Sequence, residues 1–198
     1  MSEITLVRKV RDQTMEQIKR IGGESFADDL LFEGFGTGEE RRALVMEYMR
    51  HYVDYCYKSK ILYANADYTG FVALQRSGKE KLLPTSRFEK ALKRYIPPDK
   101  LQAFSSYSSE VANSFDSEKL NDHIEVLMLC VDEKLRGRGL GGELMDFSKE
   151  QSRRAGVPLI IDTDMPGNRD MYIHMGCTLY RTKKASNGIS RYNLIWRP

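Results

Sequence analysis

The sequence predicts an α+β fold built on one mixed, mostly antiparallel sheet flanked by helices. Three observations carry that expectation. Ile124 to Val131 is a largely apolar run that reads as an interior strand, and Leu140 to Arg154 follows it as a helix. Leu159 to Ile161 then returns as a short buried strand. Near the end of the chain, Tyr192, Leu194 and Trp196 alternate with Asn193 and Ile195, and the turn Ala185-Ser186-Asn187-Gly188 precedes them. Strand, helix, strand and a terminal hairpin make a layered α+β domain.

The remaining elements are placed in chain order. Ile4 to Val10 reads as a first strand with Leu6, Arg8 and Val10 on one side. Thr14-x-x-Gln17 is a capping-box pattern that opens a helix through about Arg20 or on to Phe26, and Thr37-x-x-Glu40 repeats it before a longer helix towards Tyr57. Ile61 to Ala66 and Phe71 to Gln75 make a hairpin around Asp67 to Gly70. Ser86 to Lys119 is mostly helical in composition, broken by Pro97-Pro98, and is expected to be an insertion at about 86–119 over one side of the sheet. Asn168 to Met175 is a short helix and Cys177 to Thr182 a strand. All 198 residues are expected to form one domain.

Composition narrows the function classes. Hydrophobic residues make up 41% and charged residues 30%, which suits a packed core under a soluble surface. No apolar run approaches the roughly 18 residues of a membrane span, so no membrane partner is expected. The opening MSEITLVRKVRDQ puts charges where a secretory signal needs its apolar segment. Cys56, Cys130 and Cys177 form no close pair and no ligand-spaced cluster, so neither a disulfide scaffold nor a metal site is expected. A reducing, cytoplasmic compartment is the default. Thirty-one Lys and Arg stand against 28 Asp and Glu, for a net charge of +3. Much of the excess lies in Arg181, Lys183, Lys184, Arg191 and Arg197, read as solvated surface; nucleic acid is not an expected partner.

Arg136, Gly137, Arg138, Gly139, Leu140, Gly141 and Gly142 sit between a buried strand and a helix. Glycines there let backbone N–H groups face an open concavity, and the helix start adds free donors and a partial positive field, the arrangement that holds a pyrophosphate. Gly137-x-Gly139-x-x-Gly142, with Asp162 twenty residues further on, formally satisfies a dinucleotide pattern. Against that reading, Asp132 to Arg136 intervene after Val131, where a dinucleotide site places its glycines almost directly behind the strand.

Arg136-x-x-Gly139-x-Gly141 resembles the acyl-CoA signature of the GCN5-related N-acetyltransferase (GNAT) family, with Leu129-x-Val131 upstream as in many members. Downstream, Asp162 to Cys177 is similar to that family's Thr…Asn-x-x-x-Tyr-x-x-x-Gly-Phe segment as found in acetyltransferases of small amines and antibiotics, with Cys177 in place of the Phe. The resemblance is clear over about residues 124 to 184. It implies acetyl-CoA as cofactor, direct transfer of the acetyl group to a primary amine, and a small-molecule amine as partner. A longer acyl-CoA, a peptide amine and a non-catalytic acyl-CoA-binding regulator are the alternatives, and a homodimer is left open.

The chemistry sets residue roles. An alkylammonium of pKa around 10 must lose a proton before it attacks. Glu125, which interrupts an apolar strand and shares parity with Leu127, Leu129 and Val131, is the preferred base, with His123 one step further out. A backbone N–H near Leu129 to Val131 is the expected donor to the carbonyl oxygen. Cys130 lacks a visible activating partner. The resemblance assigns Tyr172 as the acid that protonates the leaving thiolate. It assigns Leu129, Val131, Arg136, Gly137, Arg138, Gly139, Gly141, Gly142 and Asn168 to the cofactor, although Asn168 could instead cap its helix. Asp162, Asp164, Asp67, Asp28, Asp29, Glu33 and Tyr107 are candidate acceptor contacts or solvated surface.

Overall fold

A computed structural model describes residues 3–77, 82–112, 120 and 122–198. The start of the opening segment and residues 113–119 of the expected insertion lie outside the described residues.

Seven strands form one sheet: β1 (Ile4–Leu6), β2 (Leu62–Asn65), β3 (Gly70–Arg76), β4 (Ile124–Val131), β5 (Leu159–Thr163), β6 (Thr178–Lys184) and β7 (Ser190–Trp196). Their spatial order is β1-β2-β3-β4-β5-β7-β6. Every neighbouring pair is antiparallel except β4 and β5. A parallel pair needs a crossover, which α5 (Leu140–Ala155) supplies. The mixed, mostly antiparallel sheet is therefore as predicted.

Helices cover both faces. Helices α1 (Asp12–Phe26) and α2 (Gly38–Lys58) bring Ile18, Ile21, Met49 and Val53 onto Phe71, Ala73, Met128 and Cys130. On the other face α5 and α6 (Pro166–His174) bring Leu144, Met145 and Tyr172 onto Val72, Leu74, Val126 and Ile161. The stretch expected to be helical holds α3 (Ser86–Tyr95) and α4 (Pro98–Val111), separated at Ile96-Pro97. Helix α4 packs on the 3-10 turn Leu30–Phe35 that follows α1; its Tyr107 and Val111 meet Ala185 of the terminal hairpin, and Glu110 takes hydrogen bonds from the Ser186 amide and hydroxyl.

Three local expectations are corrected. Strand β1 stops at Leu6, and Lys9 turns the chain at φ 48°. Helix α1 begins at Asp12, two residues before Thr14, and its N-cap Arg11 makes no side-chain capping bond. Gln17 is thus no cap partner: its amide donates to the carbonyls of Asp67 and Tyr68 in the β2–β3 turn. Thr37 does occupy the N-cap of α2, but without a side-chain capping bond.

The third correction matters most for the site. Ala73 pairs with Met128, yet Leu74 pairs with Val126, so Leu127 is an extra residue in β4 with no partner in β3. A bulge of this kind reverses the alternation of a strand. Ile124 and Val126 face the α5 side, whereas Met128 and Cys130 face the α1–α2 side. Leu129 and Val131 return to the α5 side. Glu125 therefore does not share a face with Leu129 and Val131, as simple alternation required.

Candidate active site

β4 and β5 pair through three residues, from Ile124 with Leu159 to Val126 with Ile161. β4 continues to Val131 and β5 to Thr163, so the strands part just where the bulge falls. The gap is a cavity of about 100 Å³ bounded by Leu127 and Leu129 on β4, Asp162 to Asp164 on and just beyond β5, Asn168 and Tyr172 on α6, and Asp29 from the turn after α1. Tyr172 packs with the α5-side core, Phe26 and Leu127 with the α1–α2 core, and all three line the gap, so it joins the two sides of the sheet.

At the far end of β4 the chain makes the glycine turn. Asp132 accepts from the Lys134 amide at 3.0 Å and from Arg20 of α1 at 2.9 Å, fixing the strand end. Gly137 and Gly139 have φ of 75° and 90°, a region that strains other residues, and nothing stands within 4 Å of where a Cβ would sit on either. Gly142 is equally open, and Gly141 would approach only Val131, at 4.0 Å. Gly139 is the N-cap of α5 and offers no side-chain cap, which leaves the first amides of a 16-residue helix free. Arg136 and Arg138 are exposed beside it, and neither forms an ion pair with a described residue. Open amides, a helix N-terminus and two uncommitted guanidiniums fit a diphosphate, so the residues present match the group that the signature implies.

Tyr172 is 6% exposed. Burial, with smaller contributions from Cys130 and Asp29, pushes its phenol well above the usual value, so it stays protonated across the neutral range. Asn168 lines the gap but is not a cap: Met165 is the N-cap of α6 and Pro166 its first residue. Cys130 is 1% exposed and burial raises its thiol to about 12, which leaves it inert. His123 is held at the start of β4, with Nδ1 at 2.7 Å from the Leu120 carbonyl, away from the gap.

The opposite side of the gap is acidic. Arg191, expected on the solvated surface, is instead largely withdrawn from it; its Nε and Nη2 meet Asp164 at 2.9 and 2.8 Å and its Nη1 meets Asp162 at 3.0 Å. Its guanidinium also lies over the Tyr107 ring at 5.8 Å. Burial lowers the Arg191 pKa, but the Asp164 hydrogen bonds and the Asp162 charge outweigh it and hold the group charged. Asp164 is 2% exposed, not solvated. Burial pushes Asp162 up, against the pull of Arg191. Burial lifts Asp29 to about 6, although its carboxylate accepts from the Leu31 amide. Glu125 is raised to about 7, by burial and then by Asp162. Asp67 lies in the β2–β3 turn, and Glu33 borders a separate hollow against α4; neither reaches the gap. Sequence reasoning missed Asn193, which is fully buried and stands opposite Asp162 in the β5–β7 ladder. Its only signal was a polar residue amid an alternating apolar strand.

Residues 108–176 match the model described as the acetyltransferase (GNAT) family, and the chain has the GNAT acetyltransferase fold. Three solved structures agree over nearly the whole length. An agmatine N-acetyltransferase is 15% identical with a TM-score of 0.60, covering 98% of this chain and 99% of that one. An N-acetyltransferase from Staphylococcus aureus Mu50 is 14% identical with a TM-score of 0.61, covering 98% and 100%. A Drosophila melanogaster polyamine N-acetyltransferase is 14% identical with a TM-score of 0.54, covering 99% and 100%. At these identities the likeness is one of fold. No curated protein matches the chain in sequence.

Among the described residues no group of three or more His, Cys, Asp or Glu could hold a metal ion, and no helix is long and apolar enough to cross a membrane.

Proposed function

We propose that this protein is an acetyl-CoA-dependent N-acetyltransferase that acts on a primary amine of a small molecule. The observation that carries the reading is the gap between β4 and β5, which is lined by Leu129, Tyr172 and a set of carboxyl groups and opens along the strand that leads into the glycine turn. The similar structures named for agmatine and polyamine acetylation describe their own chemistry; here the carboxylates argue for an amine.

The amides from Gly137 to Gly142 and the guanidiniums of Arg136 and Arg138 would hold the diphosphate of CoA, and Leu129, Val131 and Asn168 would flank its arm. Acetyl-CoA would supply an acetyl thioester at that site. The β4 backbone beside Leu129, unpaired by β5, would donate an N–H to the carbonyl oxygen. Glu125 and Asp162 would take the ammonium proton: Glu125, raised to about 7, can both accept and release a proton near neutrality. Glu125 itself lies behind the gap, so Asp162, on its face of the sheet and bordering the gap, is the nearer contact. Tyr172 would hold a proton at its hydroxyl for the leaving sulfur. Because burial raises the phenol, its first contribution is a hydrogen bond, with transfer following as negative charge grows.

The test is release of CoA thiol from acetyl-CoA across a panel of primary amines. Amine-dependent release supports the reading. Tight CoA binding with no amine acylated would overturn it and leave an acyl-CoA-binding regulator.

A further inference from the structure

The helix that carries Tyr172 has little else to hold it. α6 runs for nine residues, and Tyr172 is the one residue of it that is buried. Met171 and Ile173, on either side, are 38% and 43% exposed. The N-cap Met165 makes no side-chain capping bond. A helix this short is marginal by itself, so its seat depends on what ties its ends to the rest of the fold. Towards the N-terminal end, Arg169 lies over the Tyr192 ring of β7 at 4.7 Å.

The C-terminal end is held by α5. The carbonyls of Met171, Tyr172 and Ile173 accept from the amides of Met175, Cys177 and Gly176, which closes the last turn. The Met175 carbonyl accepts from Nζ of Lys149, a residue of α5. The Lys149 side chain is only 13% exposed; its ammonium lies 5.9 Å from the centre of the Trp196 ring and 3.9 Å from the exposed carboxylate of Asp146. Withdrawing an ammonium from water is costly, and here the charge is aimed at a helix C-terminus, where a cation is favoured. Lys149 also stands on the helix whose other end opens the glycine turn, nine residues or about 14 Å of helix beyond Leu140. Between them, Leu144 and Met145 belong to the apolar cluster that includes the Tyr172 ring. That cluster fixes which way the phenol points. The bond to Met175, three residues past Tyr172, fixes how far the helix slides or tilts along the gap.

We infer that Lys149 is a positioning residue for the acid step: by tying the end of α6 to the helix that would grip CoA, it sets the Tyr172 hydroxyl against the leaving sulfur. The inference rests on the acetyltransferase reading of the same gap. In this role Lys149 touches neither cofactor nor acceptor and exchanges no proton. It acts through Tyr172 alone, and a displacement of that hydroxyl by about 1 Å is enough to cost up to about 100-fold in rate.

The test is a double-substitution cycle, read as kcat and KM for thiol release from acetyl-CoA with the primary amine that the parent turns over fastest. Calorimetry gives CoA affinity alongside. Lys149→Met keeps the aliphatic stem beside Trp196 and removes the ammonium. It should lower kcat about 10-fold, with KM for acetyl-CoA and the Kd of CoA within about twofold of the parent. In a Tyr172→Phe background the same substitution should change kcat by less than about twofold, because the hydroxyl it positions is gone. Lys149→Arg, which keeps a cationic donor, should hold kcat within about threefold of the parent. A lysine that served the fold alone would lower kcat by the same factor in both backgrounds, or would lower CoA affinity with it. Either result overturns the inference, as does an unchanged kcat in Lys149→Met. Should circular dichroism show that Lys149→Met does not fold, Lys149→Gln, neutral and one atom shorter, is put through the same cycle. A parent that binds CoA but releases no thiol with any amine overturns the acetyltransferase reading and the positioning role with it. An active parent in which the two substitutions act independently overturns the positioning role alone.

Discussion

Arg191 grips Asp164 through two parallel hydrogen bonds, of 2.9 and 2.8 Å, where β7 passes the end of β5. Asp164 is 2% exposed, so the pair is sheltered from water and its geometry is that of a fork on a carboxylate. Removing one partner strands the other charge. Arg191→Met should therefore destabilise the fold by about 3–5 kcal/mol in urea unfolding. A loss below about 1 kcal/mol would mean that the carboxylates protonate and relax without cost.

Tyr172→Phe removes a proton donor and leaves the ring packed against Val72 and Leu144. Turnover should fall by about 100-fold or more while CoA affinity stays within about twofold. A variant with normal turnover across the pH range would take the acid role away from this hydroxyl.

Arg138 is exposed and makes no ion pair with a described residue, so truncating it costs the fold little. Arg138→Ala should weaken CoA binding by about 10-fold, with more loss in low salt than in high. An unchanged affinity by calorimetry would show that the guanidinium does not meet a phosphate.

Glu125 carries a pH signature. Its pKa of about 7 in the folded chain lies above its ordinary value of 4.5, so the folded state holds the proton more firmly than the unfolded state does. Stability is then greatest, as far as this group is concerned, below about pH 4.5, and declines as pH rises to about 7. The full difference is about 3 kcal/mol. Glu125→Gln, which stays neutral, should gain stability relative to the parent between pH 5 and pH 8, read as a growing difference in urea midpoint. Parallel curves for the two proteins would place an ionised, well-compensated Glu125 in the fold. The same variant should lose acetylation rate most below the amine pKa, where a base is needed.

The elements that sequence reasoning located well are those fixed by local pattern. Ile124 to Val131, the hairpin around Asp67 and the alternation of Tyr192, Leu194 and Trp196 are strands because their neighbours along the chain say so. The glycine turn was equally legible, because four glycines and two arginines at one junction are hard to reconcile with an ordinary loop. What failed was register and partnership. Thr14 and Gln17 have the spacing of a cap, but Gln17 found carbonyls fifty residues away. The parity of Glu125 was misread because a bulge is defined by the opposing strand, and nothing near Leu127 announces that Ala73 and Leu74 will skip it. Arg191 was misread because its acids, Asp162 and Asp164, lie 27 or more residues earlier in the chain. Asn193 was an interruption whose meaning appears only once Asp162 stands across from it.

The unpaired Leu127 works as a half-turn in a screw thread. Before it, odd-numbered side chains of β4 stand with α1 and α2; after it, even-numbered ones do. Were Leu127 drawn into the ladder as an ordinary paired residue, Cys130 and Val131 would trade places between the two apolar compartments and the strand end that feeds the glycine cradle would turn upside down. One amino acid thus sets the phase between the part of the molecule that would meet the amine and the part that would grip the phosphates.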